Sequence, residues 1–191
     1  MFFFDWISWL LNWFGLANLK ANIAILGLGN AGKTTLLHRF STERLSAHPP
    51  TLRPNSHSFS IGNVNFNAHD LGGQQNMRYL WRNYIPDNKT IIIFMVDSTD
   101  FNSIGESKSE IHDLLQDQNL ENSHFLILGS KIDVKSHYSK EQLIQALDLQ
   151  PYFYQNPQPK NINMVMISSV TKEGFAEMGK ILRDTAESLN K

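Results

Sequence analysis

The run Gly27-Leu28-Gly29-Asn30-Ala31-Gly32-Lys33-Thr34 carries the spacing G-x-x-x-x-G-K-[ST] without a gap. The chemistry of that spacing is phosphate binding. Glycines let backbone N–H groups curl around anionic oxygens with no Cβ in the way. Lys33 can reach terminal phosphates, and the Thr34 hydroxyl can hold Mg²⁺. The candidate phosphate-binding residues are Gly29, Asn30, Ala31, Gly32, Lys33, Thr34 and Thr35. An apolar run, Ile23-Ala24-Ile25-Leu26, precedes the loop, and the helix-like Thr35–Phe40 follows it. A helix start there adds the positive end of its dipole to the cradle.

Further along, Asp70-Leu71-Gly72-Gly73-Gln74 closes an expected strand. Asp70 can reach Mg²⁺ through water, Gly73 can bring its N–H against a γ-phosphate, and Gln74 can orient a water for in-line attack. Ser130-Lys131-Ile132-Asp133 follows another apolar strand. A carboxylate at Asp133 accepts two hydrogen bonds from the N1–H and N2 amino group of guanine. Adenine offers no such pair, so the wrong base leaves charge unpaired. The Lys131 stem can lie against the base, and backbone N–H groups of Ser168-Ser169-Val170 can meet the guanine oxygen. Thr51 sits in a Pro-rich connection, Pro49 to Pro54. Its hydroxyl could complete a Mg²⁺ shell when a γ-phosphate is present, although taken alone it reads as an ordinary loop threonine.

Strands and helices must alternate to hold these groups. Strands are expected at 22–27, 57–61, 64–69, 90–96, 124–129 and 163–168, and helices at 32–43, 75–84, 103–118, 139–146 and 173–189. The runs around Ile91 and Leu126 are almost continuously apolar, as in parallel strands covered on both faces. Gly62-Asn63 links two alternating strands and reads as a hairpin, which makes one edge strand antiparallel. The fold class is α/β: a doubly wound, six-stranded, mostly parallel sheet, with its ligand at the carboxyl ends of the strands. Residues 150–161 read as a surface loop.

The chain has 191 residues, a formal charge of −1 and no cysteine. One domain with a full core is expected, with no electrostatic case for nucleic acid. Disulfides, thiolate metal sites and cysteine nucleophiles are excluded, and an intracellular location fits. The first residues hold Phe2, Phe3, Phe4, Trp6, Trp9, Trp13 and Phe14. That stretch is too short to cross a bilayer, which takes roughly 20 apolar residues. Drawn as a helix, it places Asp5, Ser8, Asn12 and Gly15 on one narrow side and aromatics on the rest. Residues 1–18 are therefore expected as an amphipathic membrane-binding helix ahead of a nucleotide-binding domain over 19–191. Phe2 excludes N-myristoylation.

These segments, together with Glu43-Arg44-Leu45, Pro50-Thr51-Leu52, Trp81, Val96-Asp97 and Leu128-Gly129, resemble the Arf/Sar small GTPases over nearly the whole chain. The aromatic start is more similar to the secretion-associated Ras-related (Sar) branch. The resemblance implies a P-loop NTPase of the small-GTPase fold that binds GTP or GDP with Mg²⁺ and hydrolyses GTP slowly without an activating partner. It implies Thr34, Thr51 and Asp70 at the metal, Gln74 in catalysis, Gly73 at the phosphate, and Ser130, Lys131, Asp133, Ser169 and Val170 around guanine. It also implies a GTP-loaded form that inserts its N-terminal helix into the cytosolic face of the endoplasmic reticulum (and Golgi) membrane. The partners would be COPII inner-coat subunits, one supplying an arginine finger, and a membrane-bound exchange factor, with no nucleic acid.

Three residues depart from the Sar pattern: Gly29 replaces the usual Asp, Gln74 the usual His and Ser130 the usual Asn. The loop after Ala146 looks shortened. Ser130 is expected to give up a side-chain brace between base and phosphate loops, loosening nucleotide binding, and Gly29 to leave room near the γ-phosphate. A low-turnover GTP-binding scaffold and an Arf-like adaptor on another membrane are the alternatives; an ATP-using P-loop enzyme fits Asp133 least.

Overall fold

In the computed structural model, residues 19–42, 51, 55–85, 89–155 and 160–190 are described. The expected aromatic helix over 1–18 and the neighbours of Thr51 lie outside them. The strands are β1 (Leu19–Leu26), β2 (Asn55–Ile61), β3 (Val64–Asp70), β4 (Ile91–Asp97), β5 (His124–Ser130) and β6 (Ile162–Met166). They form one sheet in the order β2-β3-β1-β4-β5-β6. All neighbours are parallel except β2 and β3, which pair antiparallel around the Gly62-Asn63 turn, as expected. Gly62 has a φ of +61°, which a residue without Cβ adopts at no steric cost.

β4 is buried along its whole length. Its alternate side chains feed two cores. Ile91, Ile93 and Met95 join Leu36 and Leu37 of α1 (Lys33–Thr42) and Met178, Leu182 and Ala186 of α5 (Phe175–Leu189). Ile92, Phe94 and Val96 join Ile104, Ile111 and Leu115 of α2 (Ile104–Leu115) and Leu143 and Ile144 of α3 (Lys140–Ala146). Helices thus cover both faces, which is why the central strands lack polar alternation.

Three local differences from the expected elements have physical reasons. β1 begins at Leu19 rather than Asn22, because Leu19–Asn22 pair with Val64–Asn67 of β3. β4 joins β1 only from Ile23, so this first part has one neighbour strand and tolerates Lys20 and Asn22. The segment Gln75–Tyr84 is a 3-10 helix, entered from an extended Gln74 that makes no side-chain cap. Residues 150–154, expected as loop, form the short α4 (Gln150–Tyr154), with Pro151 near its start, where a missing N–H costs nothing.

Candidate functional site

The nucleotide-site candidates on β1, β3, β5 and β6 all leave the carboxyl edge of the sheet. β1 runs into the phosphate loop, β3 ends on Asp70, β5 ends on Ser130, and β6 leads to Ser168. In the loop, Gly27 has a φ of +130°, and a Cβ there would stand 2.2 Å from Met95 O. Asn30 and Gly32 also have positive φ. The loop wraps the Lys33 ammonium, whose Nζ donates to Gly27 O and Leu28 O at 2.8 Å each. Lys33 is only 6% exposed. Burial pulls its pKa from 10.5 down to about 8; the Asp70 carboxylate works against that fall, and the Arg78 guanidinium adds to it.

Beside the loop, three oxygens meet. Thr34 Oγ1 donates to Asp70 Oδ2 at 2.7 Å, and Thr51 Oγ1 donates to the same oxygen at 3.1 Å. The two threonine hydroxyls lie 2.9 Å apart. Asp70 is fully buried, and its Oδ1 has no hydrogen-bond partner among the described residues. A buried carboxylate oxygen without a partner is costly unless something positive faces it. One carboxylate and two hydroxyls form the hard-oxygen set that a small divalent cation takes in part, with phosphate oxygens and water completing its shell.

The segment after Asp70 presses on the phosphate loop. A Cβ on Gly73 would stand 2.4 Å from Gly27 O and from Leu28 C, so only glycine fits. Gly29 N donates to Gly73 O at 3.1 Å. Arg78 Nε donates to the same carbonyl at 3.1 Å, while its Nη1 donates to Glu106 and Glu110 of α2, each at 2.8 Å. Trp81, buried, donates from Nε1 to Gly72 O at 3.0 Å. Arg78 and Trp81 therefore fix the two glycine carbonyls from below, a role that sequence reading gave to neither. Gln74 is half-buried at the head of this 3-10 helix. Gly29 has open space where a Cβ would stand.

At the base end, Asp133 Oδ1 accepts from Ser168 Oγ at 2.6 Å. Ser168 is fully buried and was missed as a positioning group; a serine in a Ser-Ser-Val run carries no sequence signal that separates it from its neighbours. Of the N–H groups expected at the guanine oxygen, that of Val170 donates to Ser168 Oγ at 3.1 Å instead. Lys131 has a φ of +66°, and its Nζ donates to Asp97 Oδ2 at 2.5 Å. Burial works against the Asp97 carboxylate, but hydrogen bonds from Lys131 and Thr99 outweigh it and hold its pKa below the usual range.

Ser130 keeps part of the brace that it was expected to give up. Ser130 Oγ lies within hydrogen-bond reach of Ala31 O at 2.8 Å and Val96 O at 3.1 Å. A hydroxyl has one hydrogen, so it serves one carbonyl at a time. The serine keeps a link to the phosphate loop, with one donor.

The profile of the ADP-ribosylation factor family matches residues 7–186 of the chain. The chain is 54% identical over 180 residues to the small COPII coat GTPase SAR1B of Dictyostelium discoideum, covering 93% of each protein. It is 37% identical to ADP-ribosylation factor 1 of Brassica rapa over 69% of this chain and 72% of that protein. Among solved structures, the Arl6 small GTPase of Trypanosoma brucei with bound GppNp superposes with a TM-score of 0.77 at 26% identity, over 89% of this chain and 99% of that one.

Proposed function

The chain belongs to the ADP-ribosylation factor family of small GTPases, and from that premise we propose that it serves the COPII coat as a Sar-type switch in export from the endoplasmic reticulum. Guanine nucleotide is its ligand and GTP hydrolysis its reaction. The observation that carries the switch is the meeting of Thr34 and Thr51 on one oxygen of Asp70. It joins the phosphate loop, the connection that bears Thr51 and the end of β3 at one atom.

Backbone N–H groups of the loop from Asn30 to Thr35 and the Lys33 ammonium hold the phosphates, while the Gly29 N–H is engaged by Gly73 O. Thr34, Thr51 and Asp70 hold Mg²⁺, which when bound offsets negative charge on the phosphate oxygens. Gly73, seated on Gly27 and Leu28, brings its N–H to the terminal phosphate. Gln74 orients the attacking water, and the reaction stays slow until a partner adds positive charge. Asp133, backed by Ser168, takes the N1–H and N2 amino group of guanine, with Ser130, Lys131, Ser169 and Val170 around the base.

The aromatic residues 2–14 give the switch a membrane to act on. In the GTP form, the helix over 1–18 enters the cytosolic face of the endoplasmic reticulum membrane. The segments around Thr51 and Gly73–Tyr84 then receive an inner-coat subunit, and a membrane-bound exchange factor loads the nucleotide. Liposome flotation tests this with GDP or a nonhydrolysable GTP analogue, using the full chain and a deletion of residues 1–18. The expected outcome is flotation with the GTP analogue only, lost on deletion. Equal flotation with both nucleotides would overturn it.

A further inference from the structure

Arg39 stands further along α1 than Lys33 and faces the loop that follows β6. Its Nε donates to Ser169 O at 2.8 Å and its Nη2 to Val170 O at 3.0 Å. In a trans peptide, the N–H points opposite to the C=O of the same plane. The plane that carries Ser169 O ends in Val170 N–H, and the plane that carries Val170 O ends in Thr171 N–H. With both carbonyls turned to Arg39, both N–H groups turn the other way. Both donate to Ser168 Oγ, each at 3.1 Å. That hydroxyl has two lone pairs and one hydrogen. The two N–H groups take up the lone pairs, so the hydrogen is left for Asp133 Oδ1, at 2.6 Å.

We infer that Arg39 is a positioning residue for base recognition: by orienting two peptide planes, it fixes the Ser168 hydroxyl, and through it the Asp133 carboxylate that reads guanine. The inference rests on the reading of Asp133 given above. It extends the base site to a helix that also carries Lys33 and Thr34, so phosphate and base contacts share one support. The guanidinium suits the role because its planar fork presents two N–H groups at a fixed spacing to two successive carbonyls.

Inosine diphosphate lacks the N2 amino group, so it makes one of the two bonds to Asp133. The ratio of GDP to IDP affinity therefore reports how well that carboxylate is placed. Equilibrium affinities for GDP, IDP and ADP are to be measured on the full chain and on Arg39→Met, Arg39→Lys and Ser168→Ala. Losing one well-placed hydrogen bond costs about three- to tenfold. Arg39→Met is expected to lower the GDP/IDP ratio by that factor, and Arg39→Lys to lower it less. Ser168→Ala should match Arg39→Met, and the double variant should fall no further, because the two act in series. A general loosening of the fold would weaken GDP and IDP alike; an unchanged ratio in Arg39→Met, or additive losses in the double variant, overturns the inference. Equal affinity of the unaltered chain for GDP and ADP would instead overturn the guanine reading itself. If Arg39→Met does not fold, the ratio in Arg39→Lys decides: a fall supports the inference and no change overturns it.

Discussion

Ser130 Oγ lies 2.8 Å from the carbonyl oxygen of Ala31, linking the end of β5 to the phosphate loop across 99 positions of sequence. The same hydroxyl reaches Val96 O at 3.1 Å and has a single hydrogen for the two. At any moment the hydroxyl therefore serves one of these two carbonyls and not the other.

Restoring a second donor should tighten the site. Ser130→Asn is expected to slow GDP release several-fold, and Ser130→Ala to speed it by a similar factor, each worth on the order of 1 kcal/mol. Release of a fluorescent GDP analogue from the full chain measures both. A release rate that is the same in all three proteins would mean the Ala31 link does not hold the nucleotide.

Gly72 packs against the residue proposed to sense the γ-phosphate. A Cβ there would stand 2.7 Å from Thr51 O and 3.3 Å from Met77 Cβ. Gly72→Ala should push Thr51 out of its place at Asp70. Overpacking of this kind costs about 1–3 kcal/mol, which is roughly five- to a hundredfold. The loss should fall on a nonhydrolysable GTP analogue and largely spare GDP. Matching losses for the two ligands would show that the Thr51 contact is not specific to the GTP form.

The buried Lys33 gives a pH dependence with a definite sign. Its pKa in the fold, about 8, is below the 10.5 of an exposed lysine. Between those values, the unfolded chain holds more protons, so stability rises with pH across that window. A phosphate on the amine acts in the opposite direction, favouring the ammonium and drawing in a proton. GDP affinity should therefore decline as pH rises above about 8, with proton uptake visible at about pH 9 as a buffer-dependent heat of binding. A heat that does not depend on the buffer would exclude the coupling.

Gln74 enters the 3-10 helix extended and without a side-chain cap, while Arg78 ties the next turn to Glu106 and Glu110. The side chain is thus carried on a fixed support and is not spent on holding it. Gln74→Leu should reduce single-turnover GTP hydrolysis with the coat partner by at least about 10²-fold, with GTP affinity little changed. An unaltered rate would remove Gln74 from the chemistry.

What could be read from the sequence was what is dense and local. The phosphate loop has its glycines, lysine and threonine in one run, and β4 has no polar residue before Asp97 because both of its faces are covered. What could not be read depends on contacts between distant backbone groups. Ser168 reaches Asp133 over 35 positions and Arg39 reaches Ser169 over 130, and no spacing rule marks a side chain that binds a carbonyl or a hydroxyl so far away. Arg78 was hidden for the same reason: its acceptors are Gly73 O and two acids on α2. The start of β1 was obscured because a strand with one neighbour keeps polar residues. The link from Ser130 to Ala31 was hidden too, because it spans 99 positions and depends on how closely the phosphate loop approaches the end of β5.

The shared oxygen of Asp70 bears on how the protein responds, beyond what it binds. Thr34 and Thr51 reach it from segments 17 positions apart, and β3 supplies it from further along the chain. If any one of the three withdraws, a fully buried carboxylate loses a donor, and buried polar atoms without partners are penalised. Partly assembled arrangements are therefore the least stable ones. In the switch proposed above, the corner would act as a coincidence detector, with an output closer to a threshold than to a graded signal.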